Sequence, residues 1–190
     1  RLNPEWVSRG ALKLSHAIEK YNIKIKNKIC LDIGASTGGF TQVLLKNNAE
    51  RIYSVDVGYN QLHEKLKKEK NIINIEKVNA RFLDNNIIPE LIDILVCDVS
   101  FISLKKILEP TIKLLKKTEG SIIVLIKPQF EANKKEIKKG VVIDKLVQLR
   151  ICDDIRKWIE IKLEMNVIGV LESPIKGPKG NREFLLYATF

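Results

Sequence analysis

The chain has 190 residues, 45% hydrophobic and 29% charged, with a formal net charge of +10. That length fits one domain whose core needs no disulfide or metal staple, and the composition excludes collagen-like, low-complexity and disordered chains. The most apolar run, Ser121–Ile126, ends at Lys127, far short of the ~20 residues of a membrane helix, and no signal peptide opens the sequence.

In chain order, Ser8 is placed to cap a first helix over Arg9–Tyr21. Ile29–Ile33 reads as a buried strand, Gly34–Gly39 as a turn and Phe40–Asn47 as a helix. Arg51–Val55 is a second strand, Leu62–Lys70 a polar-faced helix and Ile72–Lys77 a third strand. Strand Ile92–Cys97, helix Leu104–Lys116, strand Ser121–Ile126 and helix Lys145–Leu163 follow. Val167–Leu171 and the β-rich run Phe184–Phe190 close the chain, with Asn133–Gly140 and Ser173–Asn181 as loops. Strands separated by helices predict an α/β fold, doubly wound, with a mostly parallel sheet covered on both faces.

The positive charge is spread along the chain, +4 over residues 1–95 and +6 over residues 96–190, so it is no detachable tail. A basic surface attracts RNA or DNA first and anionic lipid second, although a lysine-rich composition alone produces the same count. Cys30, Cys97 and Cys152 form no zinc spacing and read as small core residues in a reducing cytoplasm. His16 and His63 are too few for a histidine-rich metal site. The chain starts at Arg1 without a methionine, which reads as a piece of a longer or processed protein.

The segment Leu31–Phe40 joins the first strand to the next helix, where an open parallel sheet binds its ligands. Its pattern, Asp32-x-Gly34-x-Ser36-x-Gly38-Gly39, is not the G-x-G-x-x-G of a dinucleotide site. A carboxylate at Asp32 suits a cationic ammonium and repels a pyrophosphate, which fits S-adenosylmethionine better than NAD. Asp56 ends the second strand, 24 residues on, where an acid accepts hydrogen bonds from ribose hydroxyls. Val57 follows it, and Asn79, Ala80 and Arg81 follow the third strand, placed to reach an adenine. Without a ligand the glycine segment is simply a tight turn.

Asp98 directly follows the fourth strand and Lys127 the fifth, so both lie on the ligand-binding edge. A charge at the end of an apolar strand needs a partner, and Asp98 is the natural one for Lys127. Lys13 lies in the first helix and Glu183 just before the last strand.

Six segments together resemble the methyltransferase domain of the hemolysin A (TlyA) family, within the FtsJ-like RNA methyltransferases. They are Ser8–Leu14, Leu31–Phe40, Val55–Tyr59, Asp98–Ser103, Lys127–Glu131 and Gly180–Phe184. Ala11 stands where the family often has a second glycine. The resemblance implies a Rossmann-like fold, S-adenosylmethionine as methyl donor, ribosomal RNA as substrate and transfer to a ribose 2′-hydroxyl. It implies a catalytic Lys-Asp-Lys-Glu tetrad at Lys13, Asp98, Lys127 and Glu183. The cofactor would lie against Asp32, Gly34, Ala35, Ser36, Gly38, Gly39, Phe40, Asp56, Val57, Asn79, Ala80 and Asp98. An S4-type RNA-binding domain is expected upstream.

On this reading Lys127 is the general base, Lys13 stabilises alkoxide charge or holds phosphate, and the two acids orient the lysines. Arg9, Lys13, Lys105, Lys106, Lys134, Lys135, Lys138, Lys139 and Lys179 are candidates for binding RNA phosphates, with a solvated loop as the other reading of residues 134–139. A methyltransferase for a non-RNA substrate, or a non-enzymatic RNA-binding or membrane-active protein, remain the competing functions. Oligomeric state is open.

Overall fold

The computed structural model describes residues 5–190. One seven-stranded sheet runs through it. Its strands are β1 (Ile29–Ile33), β2 (Arg51–Val55), β3 (Ile72–Ile75), β4 (Ile94–Cys97), β5 (Ser121–Ile126), β6 (Asn166–Glu172) and β7 (Phe184–Thr189), in the spatial order β3-β2-β1-β4-β5-β7-β6. β1 to β5 pair in parallel, and β7 runs antiparallel between β5 and β6. The helices are α1 (Gly10–Tyr21), α2 (Gly39–Lys46), α3 (Glu64–Lys67), α4 (Leu104–Thr111) and α5 (Lys145–Lys162).

Strand parity explains the two-sided core. Leu31, Ile33, Leu95, Cys97, Ile122, Val124 and Ile126 enter one hydrophobic cluster, with Leu108 of α4 and Ile155 of α5. The alternate residues Cys30, Ile94, Val96, Ile123 and Leu125 enter the other, with Leu14 of α1 and Leu44 of α2. Every residue of β1, β4 and β5 is buried, which is why these strands appear as apolar runs broken only by Asp32 in β1 and Ser121 at the start of β5. Each buried aliphatic side chain contributes about 1.5–3 kcal/mol. The three cysteines are free and buried.

Helix ends depart from the sequence expectation in three places. Ser8 does not cap α1: Arg9 holds the cap position with no side-chain hydrogen bond. The expected helix Leu62–Lys70 contracts to the single turn of α3, capped by His63 Nδ1 accepting from Lys65 N. The helix expected to reach Lys116 leaves α-geometry at Thr111 and continues as a short 3-10 turn. Pro110 lies in that last turn, has no N–H to donate, and so weakens it. Among the described residues, no helix is long and apolar enough to cross a membrane.

Candidate active site

The carboxyl ends of β1, β2, β4 and β5 converge on one rim. After β1 the backbone turns at Gly34, where φ is +80°. Its amide and that of Ala35 both donate to the Val55 carbonyl at the end of β2, at 2.9 and 3.1 Å. A Cβ on Gly34 would come within 2.1 Å of the Asp98 carbonyl oxygen, so only glycine lets this turn lie against the end of β4. Gly38, with φ +103°, starts α2 and packs under Leu62 and Leu66 of the α3 region.

Asp56 fixes the same turn. Its Oδ2 accepts from Ser36 N and its Oδ1 from Gly58 N, both at 2.8 Å. Each oxygen keeps a lone pair for another donor. Beside it opens a cavity of about 330 Å³ lined by Gly34, Ser36, Asp56, Val57, Asn79, Ala80, Asp98, Ser100 and Phe101, with an apolar wall that includes Val78, Val99 and Ile102. Gly34, Ser36 and Asp98 also line a second pocket of about 160 Å³, together with Ala35, Gly39, Phe40, Gly10 and Lys13. The two spaces therefore meet at the glycine turn and Asp98.

Two lysine–carboxylate pairs flank this junction. Lys127 Nζ lies 2.5 Å from Asp98 Oδ1, a close ion pair. Lys127 Nζ also donates to Ser100 Oγ at 3.0 Å. Lys13 Nζ donates to Glu183 Oε1 at 2.6 Å, and Gln129 Nε2 donates to Glu183 Oε2 at 3.3 Å. Both lysines are 9% exposed and Glu183 is fully enclosed. One member of each pair, Asp98 and Lys13, lines a pocket, while Lys127 and Glu183 stand behind.

The rest of the expected set divides. Gly34, Ala35, Ser36, Gly39, Phe40, Asp56, Val57, Asn79 and Ala80 line one or both spaces; Asp32 and Gly38 line neither. Asp32 is fully enclosed on the α2 side of β1, where Thr41 Oγ1 donates to its Oδ2 at 2.7 Å and its Oδ1 has no partner. Burial, reinforced by Asp98 and Asp56, pushes its carboxyl up to about 7 against the Thr41 hydrogen bond. Arg81, expected near an adenine, instead faces a separate surface hollow with Phe82, Lys106 and Glu109. Lys13, expected among the surface cations that bind phosphate, is buried in its ion pair.

Sequence reasoning missed Ser100, Gln129 and Phe101. Phe101 is 89% exposed, holds φ at +66°, and sets its ring 5.0 Å from that of Phe130. A bulky residue in the left-handed region is a true outlier, and such strain collects at functional sites. Polar or aromatic residues within three positions of Asp98 and Lys127 would have been the available signal.

The sheet order, the reversed β7 and the ligand rim at β1 and β2 define the Rossmann-like fold of the methyltransferases. Solved structures share it at low identity, one from Listeria monocytogenes, provisionally named an S-adenosylmethionine-dependent methyltransferase, with a TM-score of 0.65 over 95% of this chain at 17% identity. The chain belongs to the FtsJ-like methyltransferase family, whose model matches residues 6–190. It is similar to the 16S/23S rRNA (cytidine-2′-O)-methyltransferase TlyA of Mycobacterium tuberculosis, at 40% identity over 183 residues, covering 96% of this chain and 68% of that protein. Hemolysin A of Brachyspira hyodysenteriae is 42% identical over 187 residues, 97% of this chain and 77% of the relative. A solved structure from Lactococcus lactis, provisionally named a hemolysin, superimposes with a TM-score of 0.93 at 39% identity, covering all of this chain and 89% of its own.

Proposed function

We propose that this protein transfers a methyl group from S-adenosylmethionine to a ribose 2′-hydroxyl of ribosomal RNA. The observation that carries the reading is the presence of two lysine–carboxylate pairs at the ligand rim, with Asp98 of one lining both spaces and Lys13 of the other lining the smaller. A methyltransferase for small apolar acceptors has no use for two such pairs, whereas a ribose hydroxyl needs a proton acceptor and a cation beside its oxygen. The TlyA relatives, named as 2′-O-methyltransferases of ribosomal RNA, favour the same acceptor.

The residues present fit the donor. The cavity of about 330 Å³ falls in the ~300–1,000 Å³ range of small-molecule sites. Asp56 keeps one free lone pair on each oxygen, matching two ribose hydroxyls, and the apolar wall with Asn79 suits a base. The smaller pocket, between Gly34 and Lys13, would take the amino-acid end. When bound, the sulfonium supplies an electrophilic methyl group, so the protein has only to align and deprotonate the acceptor.

Lys127 Nζ is the acceptor for the hydroxyl proton, with Asp98 and Ser100 fixing where that nitrogen stands. Lys13 stabilises the charge that grows on the 2′-oxygen, held by Glu183. The exposed ring of Phe101 offers a face on which an unstacked base can lie, the usual mode of reading single-stranded RNA.

The test supplies labelled S-adenosylmethionine and ribosomal subunits, digests the RNA, and identifies methylated nucleosides by mass. A 2′-O-methyl nucleoside is expected. Lys127→Ala should lower transfer by about 10²–10⁴-fold, the usual contribution of a general base, while calorimetry shows cofactor affinity within a few-fold of wild type. Label on a base, or near-normal transfer by the variant, would overturn the assignment.

A further inference from the structure

The loop after β4 and the loop after β5 run side by side and are joined at three levels. At the strand ends Lys127 meets Asp98 and Ser100. One step further out, Phe130 packs its ring on Phe101. At the far end Glu131 Oε2 accepts from Ser103 Oγ at 2.7 Å, and Glu131 Oε1 accepts from Leu104 N at 2.8 Å. Glu131 thus seizes the first turn of α4 and anchors the loop that carries Asp98 and Ser100. The strained Phe101 lies between the inner and outer ties, and a bulky left-handed residue persists only where its surroundings over-determine it. Burial raises the Glu131 carboxyl above the usual range, against the pull of the Leu104 and Ser103 hydrogen bonds. Neither proton removal nor donor binding uses this acid.

We infer that Glu131 is a positioning residue for methyl transfer, holding the β4 loop at the depth that keeps Asp98 and Ser100 on Lys127. The inference rests on the reading of Lys127 as proton acceptor. Releasing the outer tie lets the β4 loop lift, and Lys127 gains freedom and access. Displacements of about 1 Å at a reacting group cost up to ~10²-fold in rate.

Two measurements on the full chain test it. The first is steady-state transfer by Glu131→Ala and Glu131→Gln; glutamine keeps one carbonyl acceptor for the two donors. Alanine should lower kcat by roughly 10–100-fold with KM and cofactor affinity within about twofold, and glutamine should recover part of the loss. The second is the rate of Lys127 acetylation by acetic anhydride, read by peptide mass with no substrate present. That rate should rise several-fold in the alanine variant and less in the glutamine variant. Wild-type acetylation and kcat in both variants would overturn the inference, as would loss of kcat only in step with loss of cofactor affinity. If the wild-type protein transfers no methyl group to ribosomal RNA, the functional proposal fails, and acetylation alone still decides the clamp. If the alanine variant does not fold, the glutamine variant decides: a threefold change in acetylation supports the tie, and equality with wild type removes it.

Discussion

Asp32 shows how one side chain can lie beside a ligand loop and still be sealed from it. Its carboxyl is enclosed, and burial raises it to about 7, whereas the unfolded chain releases the same proton near pH 4. Between those values the folded protein binds the extra proton, so Asp32 makes stability fall as pH rises from about 4 to 7, with the full penalty present above 7. Asp32→Asn, which carries no charge, should therefore gain thermal stability relative to wild type between pH 5 and pH 8 in cofactor-free protein. Scanning calorimetry at both pH values checks this, and a difference in Tm that does not change with pH would contradict it. The sequence pattern located Asp32 at the right strand end but not its direction. Residues of β1 alternate, and Asp32 shares the face of Cys30, which packs on α2. The Lys127–Asp98 pair was legible because apolar strands leave a terminal charge little choice of partner. Lys13 and Glu183 lie 170 positions apart; the family resemblance placed both in one tetrad, but their pairing with each other was not legible in the sequence. The position of Phe101 near Asp98 was a usable signal, but its left-handed backbone was not, because neither glycine nor asparagine marks it.

Among elements, the turn after β1 controls the site, since it touches β2 through two amides and β4 through its bare Cα. Gly34→Ala forces a Cβ into the Asp98 carbonyl and an unfavourable φ together. It should destabilise the protein by about 2–4 kcal/mol and weaken S-adenosylmethionine binding by at least about tenfold. Gly180→Ala is the control: its φ is similarly positive, at +78°, but nothing lies within 4 Å of the added carbon. Only the left-handed penalty of about 1–2 kcal/mol remains there. Thermal shifts with and without cofactor separate the two variants. Strands were easier to read than helix ends for a physical reason. A strand buried on both faces is largely apolar, with a rare polar residue such as Asp32 held by a hydrogen bond, whereas helix ends are set by contacts distant in sequence. The Ser8 hydroxyl lies against Gly39, where a Cβ would approach it to 2.3 Å, and so packs on α2 instead of capping α1. The antiparallel placement of β7 between β5 and β6 was likewise hidden, because a β-rich run does not announce its neighbours.

Across the molecule, the net charge of +10 gathers partly on two rim loops. Lys134, Lys135, Lys138 and Lys139 on one, and Lys176 and Lys179 on the other, are all exposed. The buried side chain of Asn181 fastens these loops: its Nδ2 donates to the Gly140 carbonyl at 2.9 Å, and its Oδ1 accepts from Val142 N at 3.3 Å. Reversing charge at Lys134, Lys135, Lys138 and Lys139 should flatten the dependence of RNA affinity on salt by about 0.7–0.9 in log–log slope for each phosphate left without its cation. Fluorescence anisotropy across a salt series measures it, and an unchanged slope would leave these lysines a solvated face. The wiring of the rim also divides the labour along the chain. Every wall of the larger cavity lies between residues 33 and 107, so one continuous stretch of sequence encloses that space. The ammonium of Lys13 takes its carboxylate from 170 positions away. Holding a donor is thus a local property of the strand ends β1, β2 and β4, whereas the reactive centre depends on the far side of the sheet, where β7 is reached from Glu183.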